Sequence, residues 1–393
     1  NYKFNNFGNK SILLSGNVTG SVEDIALAFY NPSRLTEVED TRFAFNARAY
    51  QLSSLKLTNV LGEDSAQSKN NFDGVPSMAG GTFNLVGTRF AFSFLSRSRS
   101  NIGVNYTSDL LMSDIINAFQ GIEEYRARFS VNTTIKDSWY GLTWASKVTE
   151  KLSIGISGFG SLYRYNAYSI VDYTIVAESG NIAFYQNGVA SKQRSYGLIV
   201  KIGANYKFSK FDIGINLNLP YLEVYQDGKF SFNKTIAGID SETDLFIDLN
   251  ENKLKSKRKE PFGASAGLGI PLGKSKVHLN IDYVSGLQPY ERINVPDIDT
   301  GSGVPSEVLI GESRKHIVNF GFGVEIYISE KFKSFGGFST DFNSLESNST
   351  IFEIESIENS VINLGANFIH GSAGIDWGLK WANIILGATY TSG

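Results

Sequence analysis

The stretch Leu198-Ile199-Val200-Lys201-Ile202-Gly203-Ala204-Asn205-Tyr206-Lys207-Phe208 decides how the chain folds. Leu198, Val200, Ile202, Ala204, Tyr206 and Phe208 fall on one side of an extended backbone. Lys201, Gly203, Asn205 and Lys207 fall on the other. A period of two with one apolar face marks a strand, because successive side chains point to opposite faces of a sheet. After the short connection Ser209-Lys210 the pattern resumes, with Phe211, Ile213, Ile215, Leu217 and Leu219 against Gly214, Asn216 and Asn218. Two such runs joined by a short turn read as an antiparallel pair.

The same alternation recurs on both sides of this pair. Phe43, Phe45, Ala47 and Ala49 oppose Arg42, Asn46 and Arg48, and Phe90, Phe92 and Phe94 oppose Arg89, Ser93 and Arg97. Leu152, Ile154, Ile156 and Leu162 alternate with Ser153, Gly155 and Ser157. Further runs cover 262–270, 277–283, 316–328 and 362–368, and His278, Asn280 and Asp282 share one polar face. About a dozen strands are expected, with the weakest patterning near 78–86, 124–134 and 373–392.

A soluble sandwich would also alternate. Three features point instead to an all-β transmembrane antiparallel barrel. Arg, Lys, Asn and Gly recur in mid-strand on the polar face. The runs reach or pass the ~9–11 residues of a tilted membrane-spanning strand. Short connections (Val148-Thr149-Glu150, Ser209-Lys210, Gly273-Lys274-Ser275, Ser329-Glu330-Lys331) alternate with long ones near 54–77, 223–252, 285–312 and 342–358. Short turns on one rim and long loops on the other are the outer-membrane arrangement.

Composition agrees and excludes other classes. A formal charge of -3 argues against a nucleic-acid partner. Cys is absent, so thiolate and disulfide chemistry are excluded. There are 28 Phe and 19 Tyr, and 39 Gly against 8 Pro, which suits many long strands. No apolar run reaches the ~18 residues of a spanning helix, but a barrel needs none, because only alternate residues face lipid. The polar opening at Asn1 is that expected of a processed mature chain. The ending Thr391-Ser392-Gly393 lacks a terminal aromatic, so either a further strand or an unusual C-terminus is expected.

Residues 1–38 do not alternate. They carry Phe4, Phe7, Ile12, Leu13, Leu14, Ile25, Leu27, Phe29 and Tyr30, and the turn-forming Asn31-Pro32-Ser33. That apolar load calls for burial, hence a hatch (plug) over 1–38 inside a barrel of 39–393. The stretches Tyr2-Lys3-Phe4-Asn5-Asn6-Phe7-Gly8, Gly20-Ser21-Val22-Glu23-Asp24 and Phe29-Tyr30-Asn31-Pro32-Ser33-Arg34-Leu35 resemble the N-terminal region of the FadL/TodX family of outer-membrane hydrophobic-compound transporters. Ser33 stands where that family's Asn-Pro-Ala signature has Ala. The resemblance implies a barrel of 14 strands and a hatch involving Phe4, Phe7, Phe29, Asn31 and Pro32. It implies entry of long-chain fatty acids or similar compounds through an extracellular apolar groove. It implies exit sideways through a kink in the wall, expected in the strand around 88–107 near Ser96–Ser100.

Leu111, Met112, Ile115, Ile116, Phe119 and Ile122 recur at helical spacing, so 109–122 reads as an amphipathic helix, capped by Ser108 or Asp109. It is either the ligand groove or a helix packed on the rim. Arg126 and Arg128 share a face that reads as lumenal and would suit a ligand carboxylate. The alternative is that such arginines pair with lumenal acids and hold the plug. Lys253, Lys255, Lys257 and Lys259, with Arg258 among them, would attract lipopolysaccharide phosphates or form a solvated strand extension. Asp297-Ile298-Asp299-Thr300-Gly301-Ser302-Gly303 departs from a calcium loop at the sixth and twelfth positions. His278, His316 and His370 sit in no recognisable catalytic motif.

The reading is therefore a non-enzymatic barrel for passive transport of hydrophobic compounds, with no cofactor and no metal. The expected partners are outer-membrane lipid, lipopolysaccharide and a hydrophobic small molecule, and the expected location is the bacterial outer membrane. The alternative is a FadL-like accessory subunit of a larger complex with other outer-membrane proteins.

Overall fold

The computed structural model describes residues 2, 6–38, 43–58, 66–113, 121–239, 244–299, 303, 305–306, 308–346, 366–379 and 383–393. Strand follows strand from Ala44 onward. These are β1 (Ala44–Thr58), β2 (Ala66–Leu85), β3 (Thr88–Thr107), the short β4 (Leu111–Ser113), β5 (Glu123–Lys147), β6 (Leu152–Val176) and β7 (Ile182–Lys207). Next come β8 (Asp212–Asn218), β9 (Leu222–Ala237), β10 (Leu245–Leu254), β11 (Gly263–Leu272), β12 (Ser275–Val284) and β13 (Leu287–Asn294). The small β14 (Ile298–Asp299), β15 (Pro305–Ser306) and β16 (Leu309–Arg314) precede β17 (Ile317–Ser329), β18 (Phe332–Asp341), β19 (Phe368–Gly378) and β20 (Asn383–Ser392).

One 16-stranded sheet holds nearly all of them. Its continuous path runs β1-β2-β3-β5-β6-β7-β8-β11-β12-β17-β18-β19-β20, each strand antiparallel to the next. That path counts thirteen strands among the described residues. β9 pairs with the upper part of β7 and β10 with β9, so the β9–β10 hairpin carries β8 and β11 upward past the break around Pro220.

Every expected short connection is a tight turn between paired strands. The long connections differ from expectation. Much of 54–77, 223–252 and 285–312 is hairpin rather than loop, and 347–365 lies outside the described residues. The backbone keeps its ladder beyond the length a membrane needs because unpaired N–H and C=O groups remain costly wherever they are shielded from water. β5, β6 and β7 are 25, 25 and 26 residues long, well past the ~9–11 of a spanning strand.

Residues 6–38 lie against one face of this sheet. They form two single-turn helices, α1 (Lys10–Leu13) and α2 (Leu27–Tyr30), and a 3-10 turn at Pro32–Thr36. Nearly all of them are buried. They touch β2 at Gly80, β6 at Gly155, β7 at Gly203, β8 at Gly214, β11 at Gly267, β17 at Gly323, β18 at Gly337 and β19 at Gly374. Contact with strands spread over the whole path shows that the sheet curls around this segment. Its interior is therefore filled, and Phe7, Leu27 and Leu35 are fully buried there. Each such side chain stabilises the seating by about 1.5–3 kcal/mol.

The opposite face is apolar and exposed. Leu198, Ile202, Ile154, Ile156, Val318, Phe320 and Phe322 all point outward, as the alternation predicts. On β6 this band runs from Leu152 to Leu162, roughly 33 Å along the strand at the usual rise. Tilted by about 40°, it stands close to the ~25 Å apolar band of outer-membrane barrels. Tyr206, Phe208 and Phe211 pack together at its lower edge, and Tyr196 stacks on Tyr225 at 5.2 Å at its upper edge.

Candidate functional site

The seat of the N-terminal segment is built from small residues and buried amides. Asn31 is fully buried. Its side-chain amide donates to the carbonyls of Thr19 (2.7 Å) and Ala204 (3.2 Å). Its carbonyl oxygen accepts from the Ser33 N–H (3.2 Å) and hydroxyl (2.6 Å). Asn31 thus caps the 3-10 turn, as a residue before Pro should, and ties it to β7. Ser33, where the resembled signature has Ala, uses its extra hydroxyl within this knot. Pro32 lies over two wall glycines: a Cβ on Gly203 would come within 2.8 Å of its ring, and one on Gly155 within 2.6 Å of its carbonyl carbon.

Asp24 organises the other half. Its carboxylate accepts the N–H groups of Asn9 (2.8 Å), Ser11 (3.1 Å) and Ala26 (3.0 Å) and the Ser11 hydroxyl (3.0 Å). Phe7 meets Phe29 edge-on at 4.8 Å, and Phe29 reaches Trp139 of β5 at 6.0 Å. Of the five residues expected in the hatch, Phe7, Phe29, Asn31 and Pro32 come together here, and Phe4 lies outside the described residues.

Sequence reasoning missed a ring of ion pairs below this seat. Glu37 pairs with Lys147 (3.2 Å) and with Lys207, Arg34 with Asp212 (3.2 Å), Lys10 with Asp376 (3.5 Å) and Glu23 with Lys276. The signal was present: each wall partner has inward parity and sits at or near the short-turn end of its strand. Arg89 and Arg97 do face inward as expected, donating to the carbonyls of Val38 (2.7 Å) and Tyr2 (3.2 Å). Arg42 and the Arg48 side chain lie outside the described residues.

Above the seat, the 255–262 connection and β13–β16 supply a second buried knot. Arg258 donates to Asp137 (2.7 Å), Glu260 (2.9 Å) and Ser161 (3.0 Å), and lies over the rings of Tyr163 and Tyr221. Arg292 donates to Gln193 (2.8 Å) and Tyr163 (3.1 Å), and pairs with Glu312 (3.4 Å). Arg314 pairs with Glu312 (2.5 Å) and Glu260 (3.7 Å) and donates to the Tyr2 hydroxyl. Burial alone would raise the Glu260 carboxyl, but the guanidiniums of Arg314 and Arg258 hold it down at about 2. In the lysine run, the odd-numbered lysines are exposed or half-buried, while Ser256 and Arg258 are buried. The run is a solvated edge on one side only.

Two expectations fail. Leu111–Ser113 is a strand paired with Glu123–Tyr125, not the start of a helix over 109–122. Leu111 and Met112 are exposed there, and Ile115, Ile116 and Phe119 lie outside the described residues. The Ser108 hydroxyl accepts the Ala127 N–H across to β5 instead of capping a helix. Arg126 and Arg128 face outward: parity on β5 puts them on the side of Tyr140 and Leu142, while Ala127 and Phe129 are buried with Trp139. Arg128 pairs there with Asp172 at 2.9 Å. Above the apolar band the alternation reverses sign, with apolar residues inward and charges outward. Among the strand residues that line the seat, Lys201 is a buried cation that does face inward; it donates to Asn218 (2.6 Å) and lies 3.9 Å over the Phe29 ring.

Among the described residues the path itself ends unjoined at β1 and β20, and within it the wall parts between β2 and β3. β2 and β3 are each 20 residues long, yet pair only from Leu85↔Thr88 to Met78↔Leu95. Above that, β2 continues on β1 alone and β3 on β5 alone. The β3–β5 ladder is continuous apart from a bulge at Ser96–Ser98, inside the 96–100 stretch where a kink was expected. Just below the parting, on the outward face, Ala79, Phe92, Phe94, Tyr140, Leu142 and Gly158 line an open apolar hollow of about 490 Å³. No atom lies within 4 Å of where a Cβ on Gly158 would stand, so this glycine leaves the hollow open.

The same fold is found in solved channel structures. TodX, a toluene transporter of P. putida, is 14% identical and superimposes with a TM-score of 0.58 over 98% of this chain and 91% of its own. CymD, a monoaromatic hydrocarbon channel, is 12% identical, with a TM-score of 0.58 over 98% and 92%. A FadL homologue of Pseudomonas aeruginosa is 10% identical, with a TM-score of 0.52 over 98% and 89%. These neighbours are transport channels and FadL relatives, not enzymes. No protein-family model and no curated protein matches the chain.

Proposed function

We propose that the chain is a passive outer-membrane channel for hydrophobic small molecules, a class that includes long-chain fatty acids. The observation that carries this reading is the parting of β2 from β3 above Leu95, beside the aromatic hollow of Phe92, Phe94, Tyr140 and Leu142. An aqueous pore needs an intact wall and an open interior, whereas this barrel has a filled interior and an interrupted wall. Residues 1–38 serve as the hatch, held by Asn31 and by the ion-pair ring. A greasy solute arriving from the long-loop side passes the loop knot and leaves sideways between β2 and β3, near the upper edge of the apolar band. It thereby avoids bulk water, and transport down a gradient needs no cofactor. A ligand carboxylate would meet Lys201 and Arg97 rather than Arg126 and Arg128, since only the former pair face inward.

The native chain has no Cys, so a single thiol cross-link can be placed across the parting. Ser77 and Ser96 are the next positions above the last β2–β3 pair. Ser77 points inward, where its hydroxyl donates to the Asn6 carbonyl, and Ser96 stands opposite the outward Ser138, so in the Ser77→Cys/Ser96→Cys variant a reducible bis-maleimide rather than a direct disulfide ties the edge. Uptake of a hydrophobic probe by vesicles carrying the cross-linked protein is expected to fall at least ~10-fold and to recover when the cross-linker is reduced. Undiminished uptake by the cross-linked species would place the exit elsewhere.

A further inference from the structure

Just above the upper aromatic edge, the outward face of the wall turns basic. Lys136 of β5, Arg164 of β6 and Arg194 of β7 stand directly opposite one another in the ladder. Two residues higher, Lys192 of β7 stands opposite Lys229 of β9. All five side chains are exposed, and none makes an ion pair among the described residues. The acid facing the group is Asp227 of β9, opposite Arg194, and Asn166 and Thr134 complete the upper row.

Like charges directly opposite on neighbouring strands destabilise a sheet. Strands lie about 4.8 Å apart, so Lys136, Arg164 and Arg194 spread three cations over about 10 Å with one acid at the end. Such a row calls for an anion with several charges. Its level says which one. The row immediately below is Ser138, Leu162, Tyr196 and Tyr225, and beneath it begins the apolar band with Tyr140, Leu198 and Leu222. The lower row therefore lies about two residues, roughly 7 Å along the strand, above the aromatic edge, and Lys192 and Lys229 about four residues, roughly 13 Å, on the side of the long connections. That is the headgroup level of the outer leaflet.

We propose that Lys136, Arg164, Arg194, Lys192 and Lys229 form a docking site for the phosphates of outer-leaflet lipopolysaccharide. Guanidinium groups take phosphate oxygens two at a time, and the lysines add point charges beside them. The acyl chains of the same molecule would then lie along Leu162, Leu198, Ile156 and Ile202 directly below. The proposal rests on the outer-membrane reading for its orientation, and it is separate from what passes through the barrel.

The test uses the full-length protein in detergent, with lipopolysaccharide or inorganic phosphate added at equal phosphate concentration. The second protein is Lys136→Gln/Arg164→Gln/Arg194→Gln, checked for folding by heat-modifiable gel mobility. The wild type is expected to gain thermal stability with lipopolysaccharide and none with inorganic phosphate. The variant is expected to match or exceed the wild type without lipid, and to lose at least ~10-fold in lipopolysaccharide affinity. A folded variant that binds lipopolysaccharide as tightly as the wild type overturns the site, as does equal stabilisation by inorganic phosphate. Hydrophobe uptake, measured in parallel, is expected to be unchanged in the variant. Loss of uptake in the wild type itself would sink the channel reading and leave the lipid result standing.

Discussion

Replacing Asn31 by alanine is expected to unseat the hatch while leaving the barrel folded. The substitution strips partners from the Thr19 and Ala204 carbonyls and from the Ser33 N–H, in the most buried part of the seat. Each buried group left unpaired costs about 1–3 kcal/mol, so a loss of about 3 kcal/mol is a conservative sum. That raises the undocked population on the order of 100-fold. The expected readings are faster proteolysis within residues 6–38 and an ion current across planar bilayers that the wild type lacks. Asn31→Asp keeps the acceptor and loses the donor, so it should fall between the two. The wall strands, which do not depend on this amide for their ladders, should keep their heat-modifiable mobility.

Replacing Arg258 by alanine is expected to have a comparable effect on the upper knot. Asp137 is 2% exposed at its side chain and Arg258 6%, so removing the guanidinium strands a carboxylate in a shielded site. Breaking one partner of a buried pair costs about 3–5 kcal/mol. Lysine should rescue little, because one ammonium cannot reach Asp137, Glu260 and Ser161 with the geometry of a planar fork. The measurement is denaturant unfolding of the upper strands, followed by hydrogen exchange at β13 and β16. The knot also predicts a pH dependence. Glu260 titrates near 4.5 when free and at about 2 in the fold. A depressed carboxyl contributes stability that is fully present above the free value and is lost as pH falls through the folded one. Protection of β13 and β16 should hold at neutral pH and decline between about pH 4.5 and pH 2. In Glu260→Gln that decline should be weaker.

The wall was legible in the sequence because period-two alternation is a local signal and every strand repeats it. The segment around Asn31-Pro32 was legible for a different reason: an apolar, non-alternating stretch has to be buried somewhere. What the sequence could not supply is the sign of the alternation. Within the apolar band the greasy residues face outward, as Leu198 and Ile202 do. Above it the surroundings change, and Ala127 and Phe129 turn inward while Arg126 and Arg128 face out. Both regions look alike as a string of letters, so a lumenal reading of Arg126 and Arg128 followed from a rule that holds only in the band. Arg258 was hidden by its neighbours, since the exposed lysines around it read as a solvated edge. Its burial depends on Asp137 and Tyr163, more than 90 residues away in sequence. Leu111 and Met112 show the remaining weakness: a few apolar residues at helical spacing cannot outweigh a free strand edge at Glu123–Tyr125 that offers hydrogen bonds.

The central claim is passage of hydrophobic molecules through a barrel closed to water. The most direct test loads the protein into vesicles whose outer leaflet is lipopolysaccharide and follows entry of a labelled long-chain fatty acid, of toluene and of a small sugar. The account predicts faster entry of one or both hydrophobic probes than in protein-free vesicles, without an energy source, and no added entry of the sugar. Hydrophobe entry equal to the protein-free rate, or entry of the sugar alone, would contradict it.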